Sequence, residues 1–158
     1  MKKAHFFTAG PLIFLMATAC NPGSSPFSPV VRNKLNAAGL RLTVTTASQE
    51  TGGLSFLIEV KNEGAGTVNL NFSDSQAFDV AVSTSGGNPV WQWSRDKAFS
   101  TVLLTQEIKP GDVVSNRAEW SLTASDGSQV RHGLYKATVW ITNQPRDPGL
   151  SIEFALTI

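Results

Sequence analysis

Ser75 to Phe99 reads Ser-Gln-Ala-Phe-Asp-Val-Ala-Val-Ser-Thr-Ser-Gly-Gly-Asn-Pro-Val-Trp-Gln-Trp-Ser-Arg-Asp-Lys-Ala-Phe. Phe78, Val80 and Val82 alternate with Asp79, Ala81 and Ser83, and Trp91 and Trp93 alternate with Val90, Gln92 and Ser94. This two-residue period is that of a pleated strand with one face buried. Gly86-Gly87 lies between the two runs and supplies the positive φ of a hairpin loop. With those glycines as a two-residue loop, Val82 falls opposite Trp91, Val80 opposite Trp93 and Asp79 opposite Ser94. One face of the hairpin is then apolar and aromatic, with Phe78, Val80, Trp91 and Trp93 in one cluster and Asp79 on the reverse face.

The same alternation recurs on both sides. Leu40, Leu42 and Val44 precede Gly52-Gly53, and Leu54, Phe56, Ile58 and Val60 follow it. The Lys61 to Gly66 cluster then leads to Val68, Leu70 and Phe72. Beyond Phe99, Val102-Leu103-Leu104 runs through Ile108 into Lys109-Pro110-Gly111-Asp112. There proline presets φ and glycine takes positive φ in a type II turn. Ala118, Trp120 and Leu122 share a face, Gly133 opens a strand through Tyr135, Ala137, Val139 and Ile141, and Leu150 to Ile158 alternates to the end. No helical period appears after residue 40. The pattern predicts an all-β, immunoglobulin-like antiparallel sandwich of seven to nine strands over residues 40–158.

Ser75-Gln76, Phe78-Asp79, Val90-Trp91, Trp93-Ser94, Phe99, Pro110-Gly111 and Gly133-Leu134-Tyr135, in that order and spacing, resemble the BsuPI domain, named after a bacterial intracellular proteinase inhibitor. The resemblance spans about residues 54 to 142, and Trp-x-Trp-Ser followed by Phe99 is its most specific part. Phe78 stands where the family often has tyrosine, and His132 where proline is common. The resemblance implies a protein partner, a proteinase, and mainly structural roles for Phe78, Asp79, Trp91, Trp93, Ser94, Phe99, Pro110, Gly111, Gly133 and Tyr135. Tyr135 also resembles a tyrosine corner, whose hydroxyl ties an arch between sheets.

The N-terminus reads as an address. Lys2 and Lys3 precede an apolar run from Phe6 to Ala17 that is broken by Gly10-Pro11 and falls short of the roughly 20 residues of a spanning helix. It ends in Ala17-Thr18-Ala19-Cys20, which resembles a bacterial lipobox except for alanine where leucine is usual. The implied processing is removal of residues 1–19 and acylation of Cys20, palmitate being a typical chain. Two or more acyl chains anchor a protein stably, at about 0.8 kcal/mol per buried methylene. Residues 20–39, rich in Pro, Gly and Ser at their start, read as a tether. The expected location is the bacterial cell envelope. Asn21 rather than aspartate after the acylated cysteine favours the outer membrane in a two-membrane cell.

Cys20 is the single cysteine, so no intramolecular disulfide forms. The precursor carries 13 basic and 12 acidic side chains and no basic patch, which argues against nucleic-acid binding. His132 is the one histidine left after signal removal, and no nucleophile or phosphate-loop motif accompanies it, so no catalytic residue is assigned. Zinc lacks ligands. Asp74, Ser75 and Asp79 lack the spacing of a calcium loop and read as turn capping by Asp74 and a cross-strand hydrogen bond from Asp79. No cofactor or metal is expected. Trp140 alternates with Val139 and Ile141, which places its ring on the solvent side, where an aromatic ring suits recognition. Ser94, Arg95, Asp96 and Lys97 begin one candidate contact loop, Ser94 to Thr101, and Ser125 to His132 forms a second. The reading is a lipid-anchored, non-enzymatic protein-binding module with proteinase inhibition as the implied activity. The alternative is a structural or assembly module of the envelope.

Overall fold

The computed structural model describes residues 30–50 and 52–158, so the signal, most of the tether and Cys20 lie outside the described residues. Ten strands follow one another: β1 (Val31–Leu35), β2 (Leu40–Ser48), β3 (Leu54–Asn62), β4 (Val68–Phe72), β5 (Phe78–Thr84), β6 (Pro89–Gln92), β7 (Leu104–Ile108), β8 (Val113–Trp120), β9 (Leu134–Ile141) and β10 (Ser151–Thr157). One antiparallel sheet has the order β1-β2-β3-β8, the other β10-β9-β5-β6, and β4 pairs with β7 in a ribbon of its own. The all-β sandwich is as the alternation predicts.

The core is the inward parity of these strands. Leu40, Leu42 and Val44 of β2, Phe56, Ile58 and Val60 of β3, Val80 and Val82 of β5, and Ala137, Val139 and Ile141 of β9 are all buried. Apart from Leu57 and Trp140 their outward neighbours are polar or small, so a one-residue slip of any strand would exchange core for surface. Each buried Val, Leu, Ile or Phe contributes about 1.5 to 3 kcal/mol.

Strand β1 corrects the domain boundary. Residues 31–35 lie in the stretch read as tether, yet they pair in register with β2, Val31 with Thr45 through Leu35 with Arg41. The alternation missed them because their inward positions carry Arg32 and Lys34. Such charges suit an edge strand, where they discourage pairing with another chain. The Lys34 ammonium donates to the carbonyls of Pro148 and Ser151, at 2.8 and 3.3 Å, and so ties the edge of one sheet to the start of β10 in the other.

The Pro110-Gly111 turn forms as predicted, with Asp112 N donating to Lys109 O at 2.9 Å and Gly111 at φ +86°. It joins strands of different sheets, since β7 pairs with β4 and β8 with β3. Asn62 holds this corner from a fully buried position. Its amide nitrogen donates to the carbonyls of Gly66 and Ile108, both at 2.8 Å, and its oxygen accepts from Gly64 N at 2.9 Å.

Candidate functional site

The β5-β6 hairpin has the expected register in its body: Ala81 lies opposite Gln92 and Val82 opposite Trp91. Its loop differs from the two-residue expectation. Thr84 N donates to Asn88 O and Gly87 N to Thr84 O, both at 2.9 Å, which encloses Ser85 to Gly87 as three loop residues. Gly87 takes the left-handed conformation at φ +89°. The pairing then shifts between Val82 and Ser83, leaving Val90 as an extra residue on β6. The longer loop and the bulge offset each other, so the predicted pairs survive a wrong turn assignment. The freed carbonyl of Val90 accepts from Ser125 N at 2.8 Å.

The aromatic face packs as a stack at the β6 edge of the sandwich. Trp91 lies between Trp120 and Phe56, with centroid distances of 5.3 and 6.3 Å. Trp93 packs on Phe78 at 4.2 Å and on Phe99 at 5.9 Å. Trp120 and Phe78 are buried, whereas Trp91 and Trp93 are half-buried because β6 ends its sheet.

Asp79 is on the reverse face as expected, but it is only 2% exposed. Its carboxylate accepts from Val80 N at 2.8 Å, Gln92 Nε2 at 2.6 Å, Ser94 N at 3.2 Å and Ser94 Oγ at 2.7 Å. Trp93 N meanwhile donates to Val80 O at 2.8 Å. The ladder between β5 and β6 ends here, and Asp79 carries the hydrogen bonding on to Ser94. Ser94 is therefore a fixed root for the Ser94 to Thr101 loop. Asp74 caps its turn through Gln76 N at 2.8 Å.

Arg95, Asp96 and Lys97 are exposed beyond that root, with the Lys97 ammonium 4.9 Å from the Trp93 ring centre. The fold brings the two candidate loops together. Ser125 is bonded to β6, and the Arg95 charge reaches Asp126. Hydrogen bonds from the hydroxyl and amide of Ser128 hold the Asp126 carboxyl below the ordinary carboxylate range, with Arg95 adding to the effect. Tyr135 Oη donates to Arg131 O at 2.8 Å, the tyrosine-corner bond, and braces the end of the second loop. An open cleft of about 280 Å³ lies between the second loop and the end of the β5-β6 hairpin, lined by Thr84, Pro89, Val90, Asp126, Arg131 and Tyr135 among others.

Trp140 lies on the outer face, directly across from Asp79 on one side and Ser151 on the other. Its ring is half-buried, and the Arg146 guanidinium stands 5.1 Å from the ring centre. Trp140 and Ser94 thus flank Asp79 on one sheet face. Gln92 and Arg146 were not singled out from the sequence, because their roles depend on partners 13 and 6 residues away in the chain. Val102-Leu103-Leu104, the apolar run that leads through Ile108 to the Pro110-Gly111 turn, is exposed, Leu103 by 85%. The legible signal was a run of three apolar residues without alternation. His132 is exposed, and among the described residues no hydrogen bond joins it to a serine or threonine. No group of three metal-ligating side chains occurs among the described residues.

Residues 40–146 match the family model BsuPI, described as intracellular proteinase inhibitor. The chain belongs to the BsuPI family. The match is wider than the motif-bearing segment and takes in β2 through β9 with the turn after it. No curated protein matches the sequence. Among solved structures, the chain is similar to β-glucosidase 3B from Thermotoga neapolitana, at 14% identity and a TM-score of 0.38 over 82% of this chain and 16% of that one. A β-glucosidase from Erythrobacter marinus gives 14% identity and a TM-score of 0.37 over 82% and 15%. The chain spans about a sixth of the length of these enzymes, and no activity carries over from them.

Proposed function

We propose that this BsuPI protein is a non-enzymatic, lipid-anchored inhibitor that docks to an endopeptidase. The observation that carries the reading is the family match across residues 40–146, nearly the whole sandwich. Its support in the geometry is the pair of loops at the β6 edge, one rooted by Asp79 and the other by Tyr135. Inhibitors of the standard kind present a rigid exposed segment whose backbone moves little on binding. The full-length protein in detergent is expected to slow one or more of a panel of serine, cysteine and metallo-endopeptidases. No slowing at micromolar excess over every member removes the reading.

A second reading, an assembly module of the envelope, is favoured by the Trp140-Arg146 pair on an otherwise small and polar sheet face. It predicts stable crosslinking to an envelope protein in intact cells and no effect on endopeptidases.

The anchor gives a separate test. The family name places its inhibitor inside cells, whereas the Lys2-Lys3 run and Cys20 favour export and acylation, hence an envelope or secreted protease as partner. Cys20→Ser is expected to leave the sandwich folded and to move the protein from the membrane fraction to a soluble or uncleaved form, with loss of palmitate labelling. A wild-type protein that is already soluble after fractionation sinks the assignment.

A further inference from the structure

Leu103 is 85% exposed, the largest exposure of any large apolar side chain among the described residues, and Val102 and Leu104 beside it are 45% and 43% exposed. Solitary exposed leucines are ordinary; an uninterrupted apolar run held out in solvent is not. Both ends of this run are clamped. Upstream, Phe99 packs on Trp93, Ser100 N donates to Ser75 Oγ at 2.9 Å, and Ser75 N donates to Ser100 O at 3.0 Å. Downstream, Leu104 opens β7 opposite Phe72, and Thr105 Oγ1 donates to Asn71 Oδ1 at 2.8 Å. The two clamps use the end of β4 and the segment just after it, so the bow is short and its ends are close in the fold. Between them Thr101, Val102 and Leu103 make no hydrogen bond to the rest of the described chain. Their backbone groups are open to a partner strand.

We propose that Thr101 to Leu104 is the segment inserted into the protease cleft, with Leu103 as the side chain that fills its primary specificity pocket. This rests on the inhibitor reading and names the partner more closely: an endopeptidase with a deep apolar pocket that takes leucine, methionine or an aromatic ring. The chemistry follows from three observations. The presented side chain is apolar, the backbone beside it is unpaired and can add to an edge strand of the cleft, and the clamps limit the freedom lost on binding. The charged Arg95-Asp96-Lys97 turn then lies at the rim of the contact rather than in its centre.

The test uses the full-length protein in detergent against chymotrypsin, subtilisin and trypsin. Wild type is expected to inhibit the first two, which have apolar pockets, and to spare trypsin. Leu103→Asp is expected to raise the inhibition constant at least about 30-fold, as loss of a central interface anchor does, with an unchanged melting temperature because the side chain is exposed. Leu103→Arg is expected to gain inhibition of trypsin. Leu134→Asp, at another exposed leucine (59%), is the surface control and is expected to change nothing. Inhibition by wild type that Leu103→Asp leaves within about threefold overturns the assignment of this segment while the inhibitor reading stands. Absence of inhibition of any protease overturns both. Self-association of wild type that Leu103→Asp abolishes overturns the assignment in favour of a contact between copies of this chain.

Discussion

Trp120→Ala is expected to lower the free energy of unfolding by about 3 to 5 kcal/mol, a large share of the roughly 5 to 15 kcal/mol of an ordinary domain. Trp120 is 1% exposed and ends β8 opposite Leu54. Its ring stacks on Trp91 and its Nε1 donates to Thr123 O at 2.8 Å. Alanine removes the ring that Trp91 stacks on and leaves the Thr123 carbonyl without its partner. The surroundings close imperfectly, because Trp91 is held by its own pairing with Val82. Trp120→Phe retains most of the volume and loses only the hydrogen bond, so a loss of about 1 to 2 kcal/mol is expected. Urea titration followed by fluorescence measures both. A loss below about 1 kcal/mol for the alanine variant would show that the ring lies outside the tightly packed core.

Asp79→Ala is the second large effect, expected at about 2 to 4 kcal/mol, because unmade hydrogen bonds at buried groups cost about 1 to 3 kcal/mol each. Four donor contacts converge on this carboxylate, two of them from backbone amides in a site closed to water. Asp79→Asn keeps an acceptor for the amides of Val80 and Ser94 and sets an amide nitrogen against the donors Gln92 and Ser94, so about half the loss is expected. Beyond stability, the alanine variant frees the root of the Ser94 to Thr101 loop. Hydrogen exchange at Ser94 to Ser100 is expected to quicken more than exchange in β2 and β3. Uniform acceleration across the sandwich, with no local excess, would assign Asp79 a purely global role and leave the loop without its proposed anchor.

The two sites differ in how they could be read from the chain. Trp120 shares parity with Ala118, and period two is enough to send both to the core. Asp79 has the opposite parity, which predicts solvent. It is instead nearly fully buried, because Trp140 is its neighbour on β9 while Gln92 and Ser94 close over it from the β6 side. The hairpin register did predict its partner Ser94. That success had a fortunate element: the loop holds three residues rather than two, and the bulge at Val90 returns the strands to the same pairing.

Alternation determined the all-β class, the inward set from Leu40 to Ile158 and the solvent-side placement of Trp140, and proline and glycine chemistry determined the Pro110-Gly111 turn. These follow from local backbone geometry and from the cost of exposing apolar faces, both carried by near neighbours in the chain. The aromatic motif was legible by its resemblance to the BsuPI pattern, which is written in residues close together in the chain. Tertiary structure alone decided what depends on distant partners. It made β1 a strand despite its charged inward positions, because β2 offered a free edge and Lys34 found the carbonyls of Pro148 and Ser151. It tied the second candidate loop to β6 through Ser125 and Val90. It also turned Val102-Leu103-Leu104 outward, since β7 pairs only with β4 and the apolar run before it has no opposing sheet to bury it.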